Sequence, residues 1–412
     1  MQRRLAIAFA CALAFTTALT VTTGTARAST GWTKVATSAG YLYDVTCVST
    51  SDCWAVGAQG FSSGSAATRP LIEHYDGSSW AVHPSPALSV HSQLTGIACS
   101  AASDCWAVGE YVSTVSEDLI EHFNGSSWTQ VPGGAPLTGG GLAGVTCTSS
   151  VNCWATGFQV NAFEHYDGTA WTVVFAPALS PLYQLYRVRC RSPTDCWAVG
   201  RLGAAPPEGG LIAHFDGSQW TFVPEAPPAN DSAVDDVACP PAGDCWGVGC
   251  ASTCGSASAQ NYNGVAWSDA PVAGGAAFHE LTGVACPAPS TCWATAGFVG
   301  PGAGVMAQWD GQTWSSSAVD FVAYAVTCFP NGECWAAGAD IAHLAAATPP
   351  PSPSPTAAPS PSPSPTIPTV PSSGVRTRSD QLAAVILVVS GLALSGVGVA
   401  VRRRRRRTGH SG

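Results

Sequence analysis

Basic side chains are scarce in this chain. Its 412 residues carry 17 Lys and Arg against 26 Asp and Glu, and lysine occurs once, as Lys34. Between residues 29 and 347 the deficit deepens to six basic residues against 25 acidic ones. So acidic a surface repels polyanions, which excludes nucleic acid as a partner. Cationic groups, neutral glycans and proteins remain, although the same charge would also serve solubility alone. Missing too are a Gly-x-Ser-x-Gly elbow, a phosphate-binding glycine loop and His-Glu-x-x-His, the usual signatures of serine hydrolases, NTPases and zinc proteases. Long apolar runs occur only at the two ends.

What the chain does have is a phrase repeated seven times, Cys-x5-Cys-Trp, with copies 42 to 52 residues apart. It pairs Cys47 with Cys53, Cys99 with Cys105, Cys147 with Cys153, Cys190 with Cys196, Cys239 with Cys245, Cys286 with Cys292 and Cys328 with Cys334. That period suits four short strands and their turns, and seven such units close into a ring. Each copy reads as two hairpins: a strand pair around a five-residue turn between the cysteines, then a second pair turning at Asp-Gly or Asn-Gly. Asp76, Asn124, Asp167, Asp216, Asn263 and Asp310 each precede a glycine there, which suits a turn whose central residues need positive φ. A tryptophan follows each second cysteine, and another follows the glycine turn in six copies. The seventh copy lacks its last strand, and Gly31-Trp32-Thr33-Lys34-Val35 ahead of the first copy supplies it. The N-terminal segment is therefore the outer strand of the last blade, which removes two sheet edges and closes the ring. The fold class is all-β: a closed seven-bladed β-propeller, with a C-terminal Pro-rich linker and a single transmembrane helix.

Cysteine usage speaks to compartment. Seven pairs face each other across hairpins, Cys250 and Cys254 form an eighth, and Cys11 falls in the leader. Two cysteines in such hairpins lie near enough to bridge, each small loop contributing roughly 2 kcal/mol by the chain-entropy argument. Zinc needs four convergent ligands, and no second pair is near each blade's first. Eight disulfides imply an oxidising location. The ends agree with it. Residues 1–28 read as a signal peptide, 29–347 as the propeller, 348–380 as a Pro/Ser/Thr-rich stalk, 381–401 as a transmembrane helix and 402–412 as an Arg-rich cytoplasmic tail. The propeller then faces outward from the cell membrane, as a monomer. Val370-Pro371-Ser372-Ser373-Gly374 is similar to a sortase sorting signal but departs from it at Val370 and Ser373, so covalent attachment to the cell wall is the lesser expectation. The Ala, Gly, Pro and Arg bias fits a bacterium with GC-rich DNA.

Cys-Trp-Ala-Val-Gly followed by His-Tyr-Asp-Gly-Ser-Ser-Trp resembles the bacterial Asp-box, or BNR-like, repeats and the propeller of photosystem II assembly factors, over about residues 31 to 345. The resemblance implies blade geometry. It leaves function open, since such propellers serve sialidases, lyases, assembly chaperones and adhesins. A cysteine pair in every blade is this chain's departure from the family pattern.

Residues repeated in every blade are spread around a ring and cannot converge. His74, His122, His165, His214 and His343 therefore read as local hydrogen-bonding groups, and no metal or cofactor is expected. Function belongs where blades differ. Blade four places Arg187, Arg189 and Arg191 on its innermost strand, half of the propeller's basic residues, where strict alternation puts all three on one side. They read as an anion pocket, or as structural ion pairs with Asp44 and Asp236, which hold positions equivalent to Arg187. Blade five adds the pair Cys250 and Cys254 on a loop. Arg69, His91, Glu110, Tyr111, Tyr183, Arg201, Glu208, His279 and Glu280 are the larger groups on loops of the same face. Glu110, Glu208, Glu280, Asp235 and Asp236 offer acid–base pairs for a glycosidase. The expected function is a cell-surface, non-catalytic binding module for extracellular protein or glycan; the alternatives are an extracellular glycoside hydrolase or lyase on the same face, and an envelope protein assembly factor.

Overall fold

The computed structural model describes residues 31–346, apart from 61–67, 87–90, 114, 135–139, 158–161, 176–182, 203–208, 225–230, 241–242, 252–253 and 301–302. The expected leader, stalk, membrane span and tail lie outside the described residues, among which no helix is long and apolar enough to cross a membrane.

Seven antiparallel sheets follow one another along the chain. Their innermost strands are Tyr41–Ser49, His91–Ala101, Leu142–Ser149, Tyr183–Ser192, Asp231–Ala238, Gly283–Ala288 and Ala323–Cys328. Blade one shows the plan, running from Tyr41–Ser49 through Asp52–Gln59 and Arg69–Tyr75 to Trp80–Val82. Blade seven takes its outer strand from the start of the chain: Trp32–Thr37 pairs with Asp340–Leu344, Trp32 opposite Leu344. Lys34 Nζ lies 2.5 Å from Asp340 Oδ1 across that seam. Blade six departs from four strands, because Val272–Ala273 adds a short parallel strand beside Trp314–Val319.

All eight expected disulfides form. Cys47 is bonded to Cys53, Cys99 to Cys105, Cys147 to Cys153, Cys190 to Cys196, Cys239 to Cys245, Cys286 to Cys292 and Cys328 to Cys334, with Cα atoms 3.9 to 4.2 Å apart. Cys250 is bonded to Cys254, Cα atoms 4.7 Å apart. The second cysteines Cys53, Cys105, Cys153, Cys196, Cys245, Cys292 and Cys334 are fully buried, so each bridge ties a core strand to the innermost one. The turn between the paired cysteines corrects the five-residue expectation. In blade one Cys47 faces Cys53 and Ser49 faces Asp52, so a β-bulge at Val48 absorbs one residue and two residues make the turn.

Tryptophans join the blades. The tryptophan after each second cysteine meets the outer tryptophan of the next blade edge to face: Trp54–Trp128, Trp106–Trp171, Trp154–Trp220, Trp197–Trp267, Trp246–Trp314, Trp293–Trp32 and Trp335–Trp80, with centroids 5.3 to 5.6 Å apart. Each pair contributes roughly 1 kcal/mol beyond the area it buries. Trp32 therefore packs on Trp293 of the preceding blade, while Trp335 of its own blade turns to Trp80. The two tryptophans of one blade serve opposite interfaces.

The five histidines act locally, each inside its own blade. His74, His122, His165, His214 and His343 place Nε2 2.7 to 3.1 Å from Asp52, Asp104, Asn152, Asp195 and Glu333 respectively. Their rings lie over Trp54, Trp106, Trp154, Trp197 and Trp335 at 4.0 to 4.4 Å. In the glycine turns only the glycine takes positive φ, from 89° to 94°. The preceding Asp or Asn instead accepts backbone N–H bonds from the two residues after the glycine, as Asp76 Oδ1 does from Ser78 and Ser79 at 2.9 Å. It is chosen as an acceptor, not for a left-handed backbone.

Candidate functional site

In six blades the innermost strand carries a second irregularity, four residues before its first cysteine. In blade one Leu42 faces Gly57 and Asp44 faces Val56, which leaves Tyr43 as the extra residue of a bulge. The same skip occurs at Thr95, Ala143, Tyr186, Asp235 and Tyr324. A bulge re-aims a side chain out of the alternating pattern. Here it turns Tyr43, Thr95, Ala143, Tyr186 and Asp235 into one hollow of about 290 Å³, with Thr282, Glu280 and Arg187 completing the wall. Tyr324 joins through its ring, 6.5 Å from Tyr43 and 6.4 Å from Tyr41. One residue per blade thus rims the mouth of the central channel.

Beneath the mouth the channel is crossed twice from blade four. Arg187 donates from Nη2 to the Tyr43 carbonyl of blade one at 2.8 Å, and from Nη1 to the carbonyls of Ala143 and Tyr186 at 3.0 and 3.2 Å. Below it, Arg189 Nη2 lies 3.4 Å from Asp44 Oδ1 and 3.9 Å from Asp236 Oδ1. Burial works against that guanidinium's charge, but Asp44 and Asp236 more than offset it and leave the Arg189 pKa raised. Each aspartate also binds blade to blade. Asp44 Oδ2 accepts from Ile97 N, and Asp236 Oδ2 from Val284 N, both at 3.0 Å. The opposite mouth, about 320 Å³, is lined by Arg189 together with the first cysteines of six blades and their neighbours.

Arg191 does not join them. It is the extra residue of the lower bulge in blade four, between Cys190 and Ser192. Its guanidinium leaves the channel for blade five, with Nη2 2.9 Å from Cys245 Sγ and Nη1 3.7 Å from Asp195. Alternation fails at the bulge, so the three arginines occupy three places. Arg189 forms the ion pairs, with Asp44 and Asp236, and Arg187 is held by three carbonyls.

The carboxyls Asp235 and Glu280 come together at the mouth. Burial and the neighbouring Glu280 push Asp235 up to about 8, against the opposing pull of Arg187 and Arg201. Burial raises Tyr43 to about 12, helped by Tyr324 and Tyr41. Tyr186 rises to about 12 by burial, with Arg201 opposing and Asp235 and Glu280 adding. The bridge between Cys250 and Cys254 stands beside Glu280, both sulfurs and a carboxylate oxygen lying within 4.8 Å of one another. Joined sulfurs are not thiolate ligands.

The remaining candidates scatter. Arg69 is exposed opposite Gln59. His91 begins blade two, and His279 is exposed. Glu110 accepts from Gln93 Nε2 at 2.8 Å, and Tyr111 donates to Glu117 at 2.6 Å. Arg201 donates to Gln184 Oε1 at 3.1 Å. Tyr183 is no loop side chain: it is 1% exposed, packed on Phe222. Glu208 lies outside the described residues.

One set escaped the sequence reading. Glu73, Glu121 and Glu164 hold equivalent third-strand places, each just before its histidine, and all are buried. Each grips the segment that crosses in from the preceding blade. Glu73 accepts from Ser38 Oγ and Ala39 N at 2.7 and 2.9 Å, Glu121 from Ser85 Oγ at 2.8 Å, and Glu164 from Gly134 N at 3.2 Å. The recurring Glu-His pair was the available signal.

No protein-family model matches this chain, and no curated protein does. Solved structures do. YCF48 bound to D1 peptide is 17% identical with a TM-score of 0.53, covering 76% of this chain and 96% of its own. YCF48 from Cyanidioschyzon merolae is 14% identical, TM-score 0.54, covering 76% and 98%. A streptogramin B lyase is 13% identical, TM-score 0.56, covering 76% and 97%. At such identities the likeness defines a class, the β-propeller, and no activity.

Proposed function

We propose that this chain is a non-catalytic binding module, a monomeric propeller that receives a segment of another protein at the channel mouth. The observation that carries the reading is the mouth itself. Six of its rim residues are aimed by bulges from different blades, and the Arg187 and Arg189 crossings close it from below. A ligand docks there and cannot thread through. The hollow suits a few side chains of an extended segment. A propeller of the same fold bound to a peptide supports the choice of protein over glycan. Eight disulfides fit a position outside the cytosol. We place the module on the cell membrane, tethered by residues 381–401.

The test is a peptide and glycan array probed with the purified full-length chain and with Tyr43→Ala/Tyr324→Ala. Peptide binding that falls at least tenfold in the double variant is the expected result. Glycan-only binding, or binding indifferent to the substitutions, would overturn the reading. Asp235 beside Glu280 favours one alternative, a lyase or hydrolase using the two carboxyls as acid and base. Turnover of a polysaccharide lost on Glu280→Gln would establish it. An envelope assembly factor would show itself by co-purifying with membrane proteins.

A further inference from the structure

We infer that the group seated in the mouth is an alkylammonium, a lysine side chain or the amino end of a peptide, held by Asp235 and Glu280 against tyrosine faces. The inference rests on the docking reading above and names its ligand. Asp235 Oδ2 is buried, and no hydrogen-bond donor reaches it among the described residues. Its neighbour Glu280 is a second carboxyl, near enough to raise the Asp235 pKa. Two adjacent carboxyls with an unmet acceptor are a site short of one cation.

The nearby cations of the protein do not fill it. Arg187 directs its Nη atoms at three carbonyl oxygens, at 2.8 to 3.2 Å. Arg201 is engaged by Gln184 Oε1 at 3.1 Å. Burial first, and then Glu280, push Asp235 up to about 8 despite the pull of Arg187 and Arg201, and an ammonium between the two carboxyls would relieve that shift. Tyr41, Tyr43 and Tyr324 gather at the same place with centroids 6.4 and 6.5 Å apart, and the negative face of an aromatic ring attracts an ammonium. The hollow, about 290 Å³, admits a four-carbon stem and its head but no folded element. A propeller with 25 acidic and six basic residues also draws cations toward it from a distance.

The experiment is calorimetric titration of the full-length chain with three peptides of equal length: one lysine with an acetylated amino end, no lysine with a free amino end, and acetyl-lysine with an acetylated end. At least one ammonium-bearing peptide is expected to bind tenfold or more tighter than the fully blocked one, and the tighter of the two identifies the source. Glu280→Gln, with Asp235→Asn as a second variant and circular dichroism to check folding, should remove that preference. Glu117→Gln should leave it intact. Equal binding of all three peptides, still abolished by Tyr43→Ala, overturns the ammonium and leaves peptide docking standing. If none of the three binds, both fall.

Discussion

Asp118 shows what one buried carboxyl does to the whole molecule's response to acid. It lies beside Glu164 of blade three, and burial, with the neighbouring Glu164 charge adding, pushes it from 3.8 up to about 8. Burial likewise lifts Glu121 from 4.5 to about 7 and raises Glu164. The sign follows from linkage. The folded state keeps the Asp118 and Glu121 protons up to about pH 8 and 7 while the unfolded chain gives them up near 4, so stability falls as pH rises from about 4 to 8. The turn aspartates act in the opposite sense. Hydrogen bonds from Ser78, Thr169 and Ser218, with those of the turn backbone, lower Asp76, Asp167 and Asp216 to about 2, so their support is lost only as pH falls from about 4 toward 2. The melting temperature should therefore be higher at pH 5 than at pH 8, and Asp118→Asn should shrink that difference chiefly by raising the value at pH 8. A higher melting temperature at pH 8 in the unsubstituted protein would contradict this assignment.

Strands and turns obey a different control, the space around glycine. A Cβ on Gly109 would lie 2.0 Å from the Gln93 carbonyl and 2.8 Å from Leu94 Cα, both backbone atoms that cannot rotate away. Gly264 has positive φ, +89°, but nothing within 4 Å of an added Cβ. Gly109→Ala should cost about 3 kcal/mol or prevent folding, whereas Gly264→Ala should cost about 1 kcal/mol for its backbone alone. Urea unfolding of the two variants side by side checks the ranking. Elements are also where sequence and structure part. Blades, disulfides and ring closure were legible because Cys, Trp and Asp-Gly recur at fixed offsets, and repetition makes weak local signals strong. The mouth was not. Asp235 and Glu280 stood among the candidates, but Tyr43 and Tyr324 did not, because bulges break the period of two by which a strand is read. The same irregularity sent Arg191 away from Arg187 and Arg189. Nothing in Leu-Tyr-Arg-Val-Arg-Cys-Arg distinguishes a bulged residue from an alternating one.

The whole ring depends on a strand of six residues from the far end of the sequence. Trp32–Thr37 completes blade seven, and Trp32 closes the circuit of interblade tryptophan pairs on Trp293. Deleting residues 31–37 should expose the edge of Asp340–Leu344, remove one of the seven pairs and leave the ends of the ring unfastened. Lower melting temperature with concentration-dependent association is expected, measured by calorimetry and light scattering. Unchanged melting in a monodisperse sample would mean the seam does not hold the ring.

That seam also governs the order of events during synthesis. Residues 32–37 leave the ribosome first among the propeller's residues, yet their partner, residues 340–344, is made last. Blades one to six can be built as they emerge, but the opening segment has to wait, unpaired, for about three hundred residues of growth. Until then Trp32 and the unpartnered flank of blade one stand open to any neighbouring chain, so the nascent protein is at its most vulnerable just before it is finished. A factor that shields this segment during synthesis would act on a liability which the folded molecule no longer shows.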